Sequence, residues 1–311
     1  MKAAQINEYG GAEVVKINDA PAPAVAAGHV LVEVYAAGVN VIDWKIREGY
    51  MRQMAPLQFP ATLGGDFSGV VSQAGEGAAD FKEGDEIYGQ AGVLTGGSGS
   101  FAETALAGAN NIAPKPKGPS HIEAASLPLV GVSAYQALVE HIVLKAGQKI
   151  LIHGGAGGIG THAIQLAKHL GAYVVTTAGA DQAEYVKSLG ADEVIDYRAR
   201  RFEDVVRDCD AVHDTVGGET YERSFKALKR GGVIVSMLEP PNQELMAEYG
   251  VTAIAQLTQV TKERLVKLAD LVEQGVIKTH VDKTFPLARA AEALTYLQTG
   301  RQQGKVVLEV K

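Results

Sequence analysis

The 311-residue chain is long enough for two domains. Hydrophobic residues make up 46% and charged residues 21%, which supports a sizeable core and argues against disorder. The net charge of −7 argues against nucleic acid as a partner, and the single cysteine, Cys209, excludes a disulfide framework.

No segment has the pattern of a secretory signal or a membrane span. The opening MKAAQINEYGG is too polar for a signal peptide. The most apolar stretch, AASLPLVGVSAYQALV, is shorter than the roughly 20 residues that a span needs, and it contains a proline. We therefore expect a cytoplasmic protein with no membrane partner.

Residues 1–120 predict a β-rich domain. Short apolar runs such as VLVEVYAAGV and FSGVVSQAG alternate with turn-forming segments such as FKEGDE. After residue 120, apolar runs such as KILIH, AYVVTT, AVHDTV and GVIVSML alternate with helical stretches such as GTHAIQLAKHLG. This alternation predicts an α/β fold with a doubly wound parallel sheet. Near the end, KERLVKLADLVEQG predicts a helix that stops at Gly275, and GKVVLEV predicts a closing strand.

The segment HGGAGGIG joins a predicted strand to a predicted helix, and its glycines fit the pattern G-x-G-x-x-G. In this context the pattern is typical of a dinucleotide site, where the turn and the helix N-terminus hold the pyrophosphate. A tight corner without a ligand is the alternative interpretation. The predicted cofactor-binding residues of this turn are Gly155, Ala156, Gly157, Gly158, Ile159 and Gly160.

The next strand indicates which dinucleotide binds. NAD sites usually carry an acidic residue at the carboxyl end of this strand. Here Thr177 and Ala178 end the strand, and the first acidic residue, Asp181, follows only after it. The missing acid favours NADPH over NADH. The nearest groups for a 2′-phosphate are Lys187, Tyr197, Arg198 and Arg200, and a role as solvated surface residues is the alternative.

Several segments resemble the zinc-independent quinone oxidoreductase (ζ-crystallin-like) branch of the medium-chain dehydrogenase/reductase superfamily. The strongest are GQKILIHGGAGGIGTHAIQLAK and AAGVNVIDWKIREGY, and LPLVGVSAYQAL and GKVVLEV extend the match over nearly the full length. The resemblance implies a GroES-like catalytic domain (1–120 and 280–311) and a Rossmann domain (121–279). It also implies NADPH and a homodimer.

The zinc sites of related alcohol dehydrogenases are not predicted here. Where zinc-binding relatives have Gly-His-Glu, this chain reads GGDFSG, with Gly65 and Asp66. His162 and His169 lie seven apart on one helix without a third ligand, so we expect them to be solvated. We predict no bound metal.

Without zinc, the expected reaction is hydride transfer to a quinone or an α,β-unsaturated carbonyl, with hydrogen-bond donors stabilising the negative oxygen. The resemblance places Asn40 and Asp43 beside the nicotinamide. Either Lys45 or Tyr50 is predicted to face the substrate oxygen. Lys45 replaces the tyrosine of typical quinone oxidoreductases and is more similar to alkenal-reducing relatives. A simple turn at residues 40–43 and a surface position for Lys45 are the alternatives.

Further cofactor contacts are predicted at strand ends, where open α/β sheets bind ligands. Val216 and Gly217 follow AVHDTV, and Ser236 and Met237 end the strand in GVIVSML. Ser133 fits a hydroxyl contact at the nicotinamide end, or is a helix-interior serine.

Two other functions remain open. One is a zinc-free alcohol dehydrogenase, which the missing metal ligands disfavour. The other is an NADPH-binding sensor, scaffold or RNA-binding protein without turnover, and the acidic charge weakens its RNA-binding form.

Overall fold

The computed structural model describes residues 1–300 and 302–311. The strands are β1 (Lys2–Ile6), β2 (Lys16–Asp19), β3 (His29–Val39), β4 (Ala61–Thr62), β5 (Asp66–Ala74), β6 (Glu86–Gln90), β7 (Thr104–Gly108), β8 (Ile112–Pro114), β9 (Lys149–Ile152), β10 (Tyr173–Ala178), β11 (Glu193–Asp196), β12 (Cys209–Asp214), β13 (Leu228–Ser236), β14 (Thr252–Ala255), β15 (Val281–Pro286) and β16 (Lys305–Glu309).

The helices are α1 (Val41–Arg47), α2 (His121–Ala125), α3 (Pro128–Tyr135), α4 (Gly158–His169), α5 (Ala183–Ser188), α6 (Phe202–Val205), α7 (Glu219–Ser224), α8 (Gln243–Tyr249), α9 (Lys262–Glu273) and α10 (Ala290–Gln298). A π-helical segment, Gln136–His141, follows α3. None of the helices in the described part of the chain is long and apolar enough to cross a bilayer.

The chain forms two compact units. The first consists of Met1–Leu129, Val260–Glu273 and Thr279–Lys311, and the second of Val130–Gln259 and Gln274–Lys278. Along the chain, both segments of the second unit are therefore inserted into the first.

The first unit is built on a seven-stranded sheet with the order β15-β16-β3-β5-β6-β8, in which β7 also pairs with β3. A smaller sheet has the order β2-β1-β4. The long strand β3 pairs antiparallel with β5 and β16, with Gly38 opposite Asp66 and Val39 opposite Val306. These registers bring the end of β3, the start of β5 and the start of β16 to one place, although their residues are far apart in sequence.

The second unit is a six-stranded, fully parallel sheet with the order β11-β10-β9-β12-β13-β14. The chain starts in the middle at β9, builds outward to β11, and then returns to build the other half. This is the doubly wound order of dinucleotide-binding folds. The predicted α/β fold class is confirmed.

Two predictions about helices have different outcomes. Helix α9 ends at Glu273, and Gly275 follows with a φ of +72°, as expected for a glycine stop. The expectation that His162 is solvated is wrong, because this side chain is only 1% exposed. Its Nδ1 lies 2.8 Å from the Gly158 carbonyl oxygen one turn earlier in α4.

Candidate active site

Asn40 and Asp43 stand at the start of α1 in the first unit. Asn40 precedes the helix, and its backbone N–H donates to Asp43 Oδ2 at 2.7 Å. This is half of a capping box, and it satisfies one backbone N–H at the helix N-terminus. Both side chains are buried, with exposures of 4% and 2%.

The side chain of Asn40 lies between two charged groups. Its Nδ2 donates to Asp66 Oδ2 at 2.9 Å, and its Oδ1 accepts from Lys305 Nζ at 2.6 Å. Lys305 also donates to the Val39 carbonyl oxygen at 2.7 Å. We call Asn40, Asp43, Asp66 and Lys305 the buried polar cluster.

Sequence reasoning missed two members of this cluster. The sequence marks Asp66 only as part of GGDFSG, where zinc-binding relatives have Gly-His-Glu, and it predicts no role for Lys305. The available signal was a lysine directly before the three apolar residues of the closing strand KVVLE, and the structure buries all four of them.

Burial dominates the electrostatics of the buried polar cluster. It raises the pKa of Asp66 and lowers the pKa of Lys305, because water no longer solvates either charge. Burial also raises the pKa of Asp43 to about 7. For Asp43 the hydrogen bond from Asn40 opposes the rise, the charge of Asp66 adds to it, and Lys305 opposes it.

Lys45 and Tyr50 form a more accessible group around Trp44. The Lys45 ammonium lies 5.8 Å from the centroid of the Trp44 ring, and Tyr50 packs edge-to-face on the same ring at 5.9 Å. Tyr50 is 68% exposed. Within residues 1–300 and 302–311, neither the Lys45 ammonium nor the Tyr50 hydroxyl has a hydrogen-bond partner, so both remain available as donors.

The glycine-rich turn of the second unit has two kinds of glycine. A Cβ on Gly155 would lie 2.1 Å from Thr176 Oγ1, and one on Gly160 would lie 2.3 Å from the Gly154 carbonyl oxygen. Packing therefore requires glycine at both positions. At Gly157 the nearest atom would be 3.4 Å away, so packing within the chain does not require glycine there.

Gly157 is also the N-cap of α4 and provides no side-chain cap for this helix. The first backbone N–H groups of a helix carry partial positive charge and bind anions. An N-cap without a side chain leaves these groups uncovered, which fits the pyrophosphate of a dinucleotide. Helix α4 begins with Gly158 and Ile159, and Ala156 is buried.

An acidic side chain connects the ends of two neighbouring strands. The Asp214 carboxylate accepts from the backbone N–H groups of Val216 and Gly217, both at 3.0 Å, and from Ser236 Oγ at 2.8 Å. The Met237 N–H donates to the Asp214 carbonyl oxygen at 3.0 Å. The structure thus brings together four predicted cofactor residues around one residue to which sequence reasoning gave no role.

Ser133 is joined to the same edge of the sheet through Gln256. Its hydroxyl lies 2.7 Å from Thr258 Oγ1, and its carbonyl oxygen accepts from Gln256 Nε2 at 3.0 Å. The Gln256 N–H in turn donates to the Ser236 carbonyl oxygen at 2.8 Å.

The end of β10 carries the remaining candidates. The Tyr197 N–H donates to the Ala178 carbonyl oxygen at 3.4 Å, and the Arg198 guanidinium lies 5.2 Å from the centroid of the Tyr197 ring. Arg198 Nη1 also pairs with Asp181 Oδ1 at 3.0 Å. Lys187 pairs instead with Glu184 on its own helix.

Apart from Ser133, which lies in α3, the predicted cofactor residues of the second unit lie at or directly after the carboxyl ends of its parallel strands, where such sheets bind ligands. Their chemistry fits a dinucleotide. Across the described residues, no group of three or more His, Cys, Asp or Glu side chains is arranged to hold a metal ion.

Comparison with known proteins gives two family matches. Residues 26–117 match the alcohol dehydrogenase GroES-like domain, and residues 189–308 match a family described as zinc-binding dehydrogenase. The chain is 37% identical to 2-methylene-furan-3-one reductase of Solanum lycopersicum, over 99% of this chain and 79% of the relative. It is 36% identical to NADPH-dependent alkenal/one oxidoreductase, chloroplastic, of Arabidopsis thaliana, over the same shares.

The structure of the quinone oxidoreductase from Coxiella burnetii superposes with a TM-score of 0.93 at 34% identity, covering 100% of this chain and 99% of the other. The chain belongs to the zinc-independent quinone oxidoreductase branch of the medium-chain dehydrogenases/reductases. This confirms the predicted family and the GroES-like first domain.

For a quinone oxidoreductase of this branch, the structure shows how the candidate residues of the first unit are grouped, which the motifs alone did not show. The first unit holds two separate groups of candidate residues. One is the buried polar cluster, in which Asn40 and Asp43 are the members predicted from the sequence, and the other is the more accessible group around Trp44. The roles of these residues and of the cofactor candidates stay predictions.

Proposed function

We propose that this chain is an NADPH-dependent oxidoreductase that transfers hydride to a quinone or an α,β-unsaturated carbonyl. The observation that carries the proposal is the open N-terminus of α4 at Gly157, in a chain of the quinone oxidoreductase family. The names of its relatives support this substrate range, since one is an NADPH-dependent alkenal/one oxidoreductase and another a quinone oxidoreductase.

The second unit holds the dinucleotide in this proposal. The backbone of the glycine-rich turn binds the pyrophosphate, and Tyr197 and Arg198 bind the 2′-phosphate beyond Ala178. The residues at the ends of β12 and β13, with Ser133, bind the nicotinamide half. When bound, NADPH supplies the hydride.

The first unit supplies hydrogen-bond donors to the substrate. Reduction of an enone places a hydride on the β-carbon, and negative charge then collects on oxygen until a proton arrives. The Lys45 ammonium, which has no hydrogen-bond partner within the described ranges, stabilises this charge and donates the proton, with Tyr50 or water as the other donor. A positive donor is worth more here than a neutral hydroxyl, because charge-assisted hydrogen bonds are stronger.

The test is oxidation of the reduced nicotinamide, followed by absorbance. The protein is titrated with NADPH and with NADH, and then 1,4-benzoquinone, 9,10-phenanthrenequinone or a medium-chain 2-alkenal is added. We expect NADPH-selective turnover with at least one acceptor. Tight NADPH binding without turnover of any acceptor would instead support a sensor or scaffold, and binding of neither dinucleotide would contradict the cofactor site.

We also propose a homodimer in the cytoplasm. In the described part of the chain, β14 is an end strand of the parallel sheet, which offers an edge to a second copy. Light scattering should give twice the mass of the chain. Cell fractionation tests the compartment separately. This test is needed because the Arabidopsis relative is named as a chloroplastic protein.

A further inference from the structure

The oxygen and the nitrogen of the Asn40 carboxamide each contact a charged side chain, Lys305 on β16 and Asp66 on β5. We propose that Asp66 and Lys305 are positioning residues that fix the orientation of the Asn40 carboxamide for hydride transfer. The inference rests on the proposed function and extends it to residues outside the predicted site.

The two charged residues select one of two amide orientations. A carboxamide has nearly the same shape after a half-turn that exchanges its oxygen and nitrogen, so packing alone does not fix it. A lysine ammonium only donates and an aspartate carboxylate only accepts. With Oδ1 facing Lys305 and Nδ2 facing Asp66, Asn40 makes both bonds. After a half-turn it would make neither.

Both charged groups are themselves anchored. The Asp66 carboxylate accepts from Gln90 Nε2 at 2.9 Å and from the Leu129 N–H at 3.0 Å, in addition to Asn40. Lys305 donates to the Val39 carbonyl oxygen as well as to Asn40. Because two of these anchors are backbone groups, neither charge can follow Asn40 if the amide rotates.

Burial strengthens the preference for one orientation of the Asn40 amide. Asp66 is 0% exposed, Lys305 is 3% exposed and Asn40 is 4% exposed. Water therefore cannot replace a lost partner, and an unmade bond costs more than it would at the surface. Asn40 bridges the two buried charges. Buried opposite charges often stabilise a fold no better than apolar residues of the same volume, so stability alone does not explain this arrangement.

The orientation also leaves one donor available. A carboxamide nitrogen has two N–H bonds, and Nδ2 of Asn40 uses one of them on Asp66. Among the described residues, the second has no acceptor. It is the group that the two charged residues would present to a substrate or a nicotinamide, and in a flipped amide it would point elsewhere.

The first experiment compares Lys305→Met, Asp66→Asn and the double variant with the wild type, after the wild type has been shown to reduce a 2-alkenal. Methionine retains most of the lysine volume and removes the charge. We expect kcat to fall about 10- to 100-fold in Lys305→Met, as for other losses of positioning, with the KM for NADPH changed by less than about threefold. Lys311→Met is the matched control, because Lys311 is an exposed lysine paired with Glu33, and its kcat should equal that of the wild type.

The double variant separates positioning from charge balance. It removes both charges, so it leaves no unpaired buried ion and should fold even if Lys305→Met alone does not. We expect it to remain slow, because neutral partners no longer distinguish the two amide orientations. Recovery of the wild-type kcat would overturn the proposal, because it would show that Asp66 and Lys305 only neutralise each other's charge.

A second readout does not depend on activity. In protein labelled with ¹⁵N-asparagine, the Asn40 side-chain signals are identified by their loss in Asn40→Asp. We expect their exchange with solvent to be about tenfold faster in Lys305→Met than in the wild type, since one anchoring bond is lost. Unchanged exchange would overturn the positioning role, even if the wild type turned over no acceptor and the proposed function itself failed.

Discussion

His153 Nδ1 lies 3.1 Å from Thr177 Oγ1, in a buried hydrogen-bond network next to the glycine-rich turn. The donor and the acceptor of each bond in this network follow from its other members. Ser224 Oγ donates to the Thr220 carbonyl oxygen, so it accepts from His153 Nε2 at 2.9 Å. Burial lowers the pKa of His153 to about 4, so the ring is neutral near pH 7 and its Nδ1 is an acceptor. Thr177 therefore donates to His153, and its oxygen accepts from the Gly154 N–H at 3.2 Å.

Thr177→Val should destabilise the protein and weaken NADPH binding. Valine has nearly the volume of threonine but leaves His153 Nδ1 and the Gly154 N–H without partners. Buried groups left unpaired in this way cost about 1–3 kcal/mol each in the free energy of unfolding. Urea unfolding and NADPH titration measure the two effects. Thr177→Ser retains the hydroxyl and is the control, and equal stability of the valine and serine variants would refute the network.

Two alanine substitutions in the glycine-rich turn should have opposite effects. Gly157→Ala leaves the stability nearly unchanged, because its Cβ would meet no atom nearer than 3.4 Å, but it should abolish tight NADPH binding by filling the approach to the helix N-terminus. Gly155→Ala should lower the melting temperature, because Thr176 Oγ1 occupies the position of the new Cβ. If Gly157→Ala binds NADPH like the wild type, the phosphates lie elsewhere.

The stability of the protein should depend on pH through Asp43. The native carboxyl has a pKa of about 7 and keeps its proton up to about that pH, whereas the unfolded one loses it near the ordinary Asp pKa of about 3.9. Between these values the native state binds more protons, so the free energy of unfolding falls as pH rises, by at most about 1.4 kcal/mol per pH unit. Asp43→Asn removes this part of the slope, and the part due to Asp66, whose pKa is also raised, remains.

Urea unfolding across this pH range checks the slope. Asp80→Asn is the control, because Asp80 is exposed and Lys262 lowers its pKa. Its contribution has the opposite sign and appears only at acidic pH. A wild type and an Asp43→Asn variant with parallel stability curves would show that Asp43 is ionised in the native state.

Arg198 and Asp181 should control the choice of cofactor in opposite directions. Arg198→Ala removes a cation near the end of β10, and we expect the Kd for NADPH to rise about tenfold while that for NADH changes by less than about twofold. Asp181→Asn frees Arg198 from its 3.0 Å ion pair and should tighten NADPH binding. Lys187→Ala is the control, since Lys187 pairs with Glu184. Equal effects of Arg198→Ala on both dinucleotides would remove Arg198 from the 2′-phosphate site.

Lys45→Met should lower kcat/KM for a 2-alkenal by about 100-fold, the scale found for loss of a donor to a developing oxyanion. Lys45→Arg keeps a positive donor and should retain part of the activity. Tyr50→Phe removes the hydroxyl but preserves the edge-to-face packing on Trp44, so a comparable loss there would make Tyr50 the proton donor instead. Full activity in both Lys45→Met and Tyr50→Phe would contradict the assignment of the substrate-facing group.

The parts of the fold that follow from local periodicity were predictable. The alternation of strands and helices after residue 120 predicted the parallel sheet, and the spacing of Gly155, Gly157 and Gly160 predicted the turn at the start of α4. The buried polar cluster was not predictable in this way. Lys305 and Asn40 are 265 positions apart, and only the pairing of β16 with β3 brings them together.

Local patterns also failed where packing covers every side of an element. The sequence predicts a solvated His162 because His162 and His169 have no third metal ligand beside them. Helix α4 is buried from Gly160 to Ala167 without a break, so even its polar residues lie inside. The predicted domain limits, the homodimer and the roles of individual site residues stay predictions.

The contact between Ser133 and Thr258 bears on how the protein reaches its native state. These residues lie close to the two ends of Val130–Gln259, the main segment of the second unit, so once this segment has folded the chain enters and leaves it at neighbouring points. The cost of closing a loop grows with its length, and a flexible insertion of this size would slow the meeting of β3 with β16. A folded insertion with adjoining ends acts as a short connection instead. The order of assembly that this favours is the inserted unit first and the Asn40–Lys305 contact last.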